Sequence, residues 1–258
     1  MGFRKKGKTD SNTILGMVLL EDENPFDKSL LLRELDGKYS LQAVDIDGDD
    51  QAFTFAIQKE SFALLFISHP VPHSDIEGTA EYAYNWTTAS NDLKEHRAHI
   101  IVSVLQGTSD QVKRFKLFSQ VVSALLSITN SLGVYQGNQS LLIRGDDYLW
   151  EAEVLNEHDL PLNLWIYFGL RQENGLNSGY TYGLTAFNKA ELEIIDSKAS
   201  LEDIRGFLFN IAYYVLENDI GLKDGQTCGL SENERVLIHE SKGRFVPGNA
   251  FRLQYLSS

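Results

Sequence analysis

The stretch AHIIVSVLQGTSDQVKRFKLFSQVVSALLSITNSLGVYQG, residues 98–137, decides how the rest of the chain is read. Its apolar run at 100–105 has the length and β-branched content of a buried strand. A long amphipathic helix is expected over 110–131, followed by a second short strand at Val134 and Tyr135. Phe115, Phe118, Val122, Leu125, Thr129 and Leu132 recur at three- and four-residue steps, and Val121 and Ile128 widen that stripe beyond one narrow seam. Such a helix is covered on more than one side. Ser109 or Asp110 can cap its first turn, and Gly133 offers a left-handed position past its end. Lys113, Arg114 and Lys116 are expected on its exposed flank.

Working outward, the order strand, helix, hairpin, helix, strand precedes this helix, and the same order is expected after it. That order belongs to the split βαββαβ unit. The expected fold is therefore α+β: two ferredoxin-like halves with antiparallel sheets, joined by the long central helix. The boundaries are a flexible tail at 1–12, a first half at 13–106, the connecting helix at 107–133 and a second half at 134–258. No residue identity links the halves, so the duplication rests on element order alone.

In the first half a strand is expected over 13–20, ending in the acidic turn Glu21, Asp22, Glu23. Asn24 is expected to cap a helix with Pro25 at its first position and Gly37 past its end. The segments 53–57 and 62–67 form a hairpin joined through Lys59 and Glu60, after a short strand over 41–46 and a polar turn over 45–50. His69-Pro-Val-Pro-His73 is a stiff extended connector, and Ser74 with Glu77 has capping-box spacing ahead of the next helix. In the second half, 134–135 or 141–143 gives a strand and 148–155 a helix. Strands follow at 162–170 and 180–187. Ser200 and Asp203 open a helix carrying Ile204, Phe207, Leu208, Ile211 and Val215, and 227–256 has room for two or three more strands.

Composition narrows the function classes. The chain has 258 residues, 43% of them hydrophobic, enough for one large or two ordinary cores. No run approaches the roughly 18 apolar residues of a membrane span, and MGFRKKGK has a basic region without the apolar segment of a signal peptide. The cytoplasm is the expected compartment, and no membrane partner is expected. The single cysteine, Cys228, is expected as a small core filler. Net charge is −13, although the first eight residues hold four cations. Such a surface repels nucleic acid and suits both solubility and a basic protein partner.

Candidate chemistry is sparse. His69, His73, Asp75 and Glu77 lie within nine residues, and imidazole with carboxylate suits zinc or iron. His96 and His99 flank a strand start. In the split fold these two groups sit beside parallel strands, so they are expected at opposite ends of the sheet, and no spacing matches a metal-ligand signature. Asp45, Asp47, Asp49 and Asp50 resemble half of a calcium loop, but Gly48 stands at the fourth position instead of the sixth and Ala56 replaces the closing glutamate. A solvated turn is the plainer reading. Glu21 and Asp22 could pair as acid and base, although stabilisation of a helix N-terminus explains them more simply. No nucleophile elbow, phosphate loop or dinucleotide fingerprint is present, so no cofactor is implied. Tyr82, Tyr84, Trp86, Trp165, Tyr213 and Tyr214 are candidates for lining a pocket, with core packing as the plainer role.

Several stretches together resemble a bacterial family known as the domain of unknown function 4261. They are LLEDENPFD (19–27), PVPHSDIEGTAEYAYNW (70–86), LKEHRAHIIVSV (93–104), LPLNLWIYFGLR (160–171), TYGLTAFNKAELEI (181–194) and FLFNIAYYVLENDIGLKDGQTCGLS (207–231). The resemblance carries no catalytic residues over. Family members often have another residue at the place of His73, which weighs against a metal there. The family's association with gene neighbourhoods of polymorphic toxins implies an immunity-type inhibitor. On this reading the chain is a non-catalytic interaction protein that docks a basic partner through Glu21, Asp22, Asp47, Asp49 and Asp50. The alternatives are a metal-dependent hydrolase built on His69, His73 and Asp75, and a small-ligand binder with its pocket between the halves.

Overall fold

The structure is a computed structural model that describes residues 13–155, 159–229 and 235–255. The tail expected at 1–12 lies outside the described residues. The chain divides into two compact units, Met1–Gly137 with Leu142–Ala152, and Asn138–Leu141 with Glu153–Ser258.

The first sheet has seven strands in the order β2-β3-β4-β5-β1-β6-β7. These are β1 (Ile14–Leu20), β2 (Val44–Gly48), β3 (Ala52–Ile57), β4 (Glu60–Ile67), β5 (Ala98–Gln106), β6 (Ser131–Gln136) and β7 (Leu141–Arg144). β5 is antiparallel to both β4 and β1, and β1 is antiparallel to β6. This corrects the ferredoxin-like expectation, because the split unit places its first strand between its third and fourth, whereas β5 here separates β4 from β1. The strands expected to open a second half, β6 and β7, instead complete this sheet.

One face of the sheet carries Val18, Phe53, Phe55, Phe62, Leu64, Val102 and Val104, all buried. Its aromatic run is continuous: Phe55 stacks on Phe62 at 5.2 Å, and Phe53 lies 6.3 Å from Phe26. Helix α1 (Lys28–Tyr39) packs against the long helix α4 (Gln111–Ile128), and α4 lies on β1 and β5. The helix expected as a connector is thus a layer of the first unit. Phe118 is fully buried, and a Cβ at Gly16 would come within 2.8 Å of its ring, so β1 and α4 approach closely only because Gly16 has no side chain. α4 is capped by Asp110, which accepts from the Lys113 backbone N–H, and ends in extended backbone at Thr129. Gly133 is no helix terminator: it sits in β6 opposite Leu19, where a side chain would collide with the Ile143 carbonyl and Trp86.

The other face is covered near Leu19 by α2 (His73–Ala80) and the single turn α3 (Ala89–Asp92). Leu19, Val71, Ile76, Trp86, Ala89, Leu93 and Leu142 form one core cluster there. α2 begins at Pro72 with no side-chain cap, so the Ser74–Glu77 capping box does not form. A short helix α5 (Gly145–Ala152) completes the unit against α4.

The second unit holds a six-stranded sheet in the order β11-β12-β13-β10-β9-β8. Its strands are β8 (Tyr167–Glu173), β9 (Leu176–Tyr182), β10 (Glu191–Ser197), β11 (Thr227–Cys228), β12 (Val236–Lys242) and β13 (Asn249–Leu253), and β10 pairs parallel with β13 while the other pairs are antiparallel. The single long helix α6 (Leu201–Glu217), capped by Ser200, packs on β8, β9 and β10. The expected strands at 162–170 and 180–187 are each part strand and part 3₁₀ turn, at Leu162–Leu164 and Leu184–Phe187. A glutamate explains the second turn: buried Glu191 accepts from the Gly183 and Thr185 N–H groups and from the Thr181 hydroxyl.

Candidate functional site

Two acidic stretches meet at one end of the first unit. The loop 21–27 holds Glu21, Asp22, Glu23 and Asp27, the strand and turn 44–51 hold Asp45, Asp47, Asp49 and Asp50, and neither stretch contains a cation. Lys28 links them. Its backbone N–H donates to Asp50 Oδ1 at 3.0 Å, and its Nζ donates to the Gly48 carbonyl at 2.6 Å. One further cation, Arg97, borders the loop through a backbone bond to the Leu20 carbonyl. The five residues singled out as a docking face therefore fall at one end, although they are distant in sequence.

Local backbone chemistry shapes this end. Asp27, not Asn24, caps α1, accepting from the Ser29 and Leu30 N–H groups, and Gly37 lies inside the helix. Buried Phe26 anchors the chain just before the cap. Asp49 accepts from Ala52 and Gln51 N–H, and these two bonds, with Lys28 nearby, hold its carboxyl below the ordinary 3.8. Asp22 accepts from Asn24, and Asp47 from Gly48. The aspartates of the calcium-like stretch are thus spent on turns, as the failed loop match implies.

The histidines are arranged otherwise than expected. Because β4 and β5 are antiparallel, Ile67 pairs with His99 and both histidine groups lie at the same end of the sheet. His99 Nδ1 donates to the His69 carbonyl at 2.8 Å. His96 is buried, with Nε2 accepting from Val71 N–H and Nδ1 facing the Leu93 carbonyl. Both its nitrogens are engaged by backbone, so it acts as a clamp on the Pro-rich connector. His99 is held below its ordinary 6.5, first by burial and then by the neighbouring His96 and His69 against the opposing pull of the His69 carbonyl. His73 points elsewhere, toward Glu77 at 3.7 Å, and both are well exposed. Asp75 contributes its carbonyl to the Tyr135 hydroxyl. Among the described residues, no three His, Cys, Asp or Glu side chains are placed to hold a metal ion.

Two groups escaped the sequence reading. Glu60, expected in a turn, and Arg114, expected in solvent, are both fully buried and paired at 2.9 Å. The turn itself is Gln58 and Lys59, both at positive φ. Glu60 also accepts from Thr108 N–H and hydroxyl, and a side chain at Gly107 would collide with its carboxylate. In the second unit, Asp224 and His239 Nδ1 lie 2.9 Å apart, the geometry of an oriented general base. Cys228 does not serve it: Cys228 pairs with Val236 on the face of buried Ile238, while His239 takes the opposite face of the same strand.

A cavity of about 960 Å³ opens in the second unit between α6 and β11–β12. Asn210, Tyr213, Glu217, Thr227, Cys228 and Arg235 are among its lining residues. Cys228 is thus half-buried on a cavity wall and not core filler. Burial, with Glu217 and Asp159 nearby, raises the Tyr213 hydroxyl above its ordinary 10. Of the other aromatics, Tyr214 also lines this cavity, while Trp165 and Trp86 are core.

These features define an α+β protein with an acidic end in one unit and an open cavity in the other. Residues 180–254 match the family model described as Domain of unknown function (DUF4261), which supports the resemblance drawn from the sequence. The stretches 181–194 and 207–231 fall inside that match, and the cavity walls lie within it; 19–27, 70–86, 93–104 and 160–171 fall outside. No curated protein matches the chain. No described helix is long and apolar enough to cross a membrane.

Proposed function

We propose that the chain is a non-catalytic, cytoplasmic interaction protein, an immunity-type inhibitor whose acidic end docks a basic protein. The observation that carries this reading is the convergence of 21–27 with the strand end and turn 47–51 at one end of the first unit, seven carboxylates with Lys28 and Arg97 beside them. Like charges held together raise one another's energy, and a cationic partner relieves that cost while being steered on approach. The test uses Glu21→Lys with Glu23→Lys, two exposed positions, and a stopped-flow measurement against a basic protein from an adjacent gene. Association should slow and lose salt dependence, since steering is screened over about 8–10 Å at physiological ionic strength. Unchanged kinetics with the fold intact would leave the acidity as a solubility device.

A second reading, a small-ligand binder, draws on the cavity beneath α6, whose volume of about 960 Å³ suits a compact organic molecule. Thermal shift against a metabolite panel checks it. A stabilising ligand whose effect disappears in Asn210→Leu would favour this reading over docking.

A further inference from the structure

The outermost strand of the first sheet is only half protected. β2 pairs with β3 alone among the described strands, and all five of its residues are exposed. Soluble proteins blunt such edges with charge, bulges or proline. β2 has the first two: Asp45 and Asp47 lie within it, and a register shift between Val44 and Asp47 accompanies a positive φ of 52° at Asp45. Yet Val44 is 54% and Ile46 49% exposed, two large aliphatic side chains on a strand where polar residues would complete the protection. Aspartate and aliphatic residues alternate in its sequence, Val-Asp-Ile-Asp, and the register shift brings Val44 and Asp47 onto one face, opposite Ala56 and Thr54.

A second copy of the chain is a poor occupant. Pairing β2 with itself would set the aspartates of 45–50 against one another, and like charges across a ladder are destabilising. Nucleic acid is repelled by the same charges. An extended basic segment meets these requirements: its main chain continues the sheet at the open edge, its lysine or arginine side chains meet Asp45 and Asp47, and its apolar side chains cover Val44 and Ile46. We propose that the edge of β2 takes up such a segment of a basic partner protein as a further strand of the sheet. This rests on the docking reading above and specifies how docking is achieved.

The test uses the full ¹⁵N-labelled chain and an acetylated, amidated heptapeptide, Lys-Val-Arg-Val-Lys-Val-Arg. A twin with alternate backbone nitrogens methylated carries the same charge without the donors a strand needs. The expected result is slowed amide exchange within 44–48 on adding the first peptide, and binding weaker by about tenfold or more for the twin. Val44→Thr with Ile46→Thr, both at exposed positions, should weaken the first peptide similarly with the amide spectrum otherwise unchanged. Equal binding of the two peptides, with shifts spread over 21–27 and 47–50, would overturn strand addition while leaving acidic docking standing. Binding of neither peptide would overturn both.

Discussion

Glu60 and Arg114 show how much can rest on one pair of side chains. Neither has any exposed surface, and Arg114 also reaches the Val104 carbonyl and Gln111. The pair ties the β3–β4 turn to the loop between β5 and α4, through Thr108 and the space left by Gly107. Removing one partner leaves a charge in a dry site, so Arg114→Met should cost about 3–5 kcal/mol, measured by urea unfolding. Restoring neutrality with Glu60→Gln in the same chain should recover part of that loss, because the stranded carboxylate is the larger penalty. Arg114 was placed on the exposed flank because its charge was weighed above its position, although Gln111, Arg114, Phe115 and Phe118 keep the three- and four-residue steps of the buried stripe. Its partner was not legible in the sequence, because Glu60 stands 54 residues away in what reads as a turn.

At the scale of elements, helices declared themselves better than their ends did. α4 and α6 follow their apolar periodicity, and Asp110 and Ser200 cap them. α1 starts three residues later than Asn24-Pro25 implies, because Asp27 has the free carboxylate in reach of two N–H groups. Gly37, read as a terminator, is therefore an interior glycine with open space where a Cβ would stand, and Gly206 in α6 is the same. Gly37→Ala and Gly206→Ala should each raise stability by about 0.5–1 kcal/mol, through lost unfolded-state freedom and better helix propensity. Thermal melts would show it. Phe118→Ala should do the opposite by about 3–5 kcal/mol, since the ring fills the space above Gly16 and leaves a cavity between α4 and β1.

At the scale of the whole molecule, strand order was the property that local pattern could not carry. Every strand of the first sheet was placed to within a few residues, yet β5 inserts between β4 and β1 and the apparent repeat dissolves. Alternation of apolar residues fixes which face is buried and is silent on which neighbour pairs. The histidines followed this error, separated on a parallel assumption that the antiparallel β4–β5 ladder removes. The acidic composition of 21–27 and 45–50 was legible locally, but their meeting through Lys28 was not, because it depends on the same strand order.

One member of that histidine cluster contributes to the pH dependence of stability near neutrality. His99 is held neutral below its ordinary 6.5, chiefly by burial, so in that window the unfolded chain binds a proton that the folded one refuses. Stability is therefore fully present above about pH 6.5 and declines as pH falls through the lowered folded value. Asp49, Asp92, Asp219 and Asp224 are all held below 3.8, by backbone or side-chain donors first. Their contributions are lost only at lower pH, so the two windows do not overlap. Relief of the net charge of −13 opposes both losses, but the carboxylates that supply it scarcely titrate above about pH 5.5. Between pH 7 and 5.5 His99 therefore adds a loss of stability as pH falls. Unfolding in urea across that range should give a stability that falls with pH in the native chain, and a flatter profile in His99→Asn, whose amide can replace the Nδ1 donor to the His69 carbonyl. A native profile that is flat or rises on acidification would show that His99 takes up its proton without opening the connector at His69.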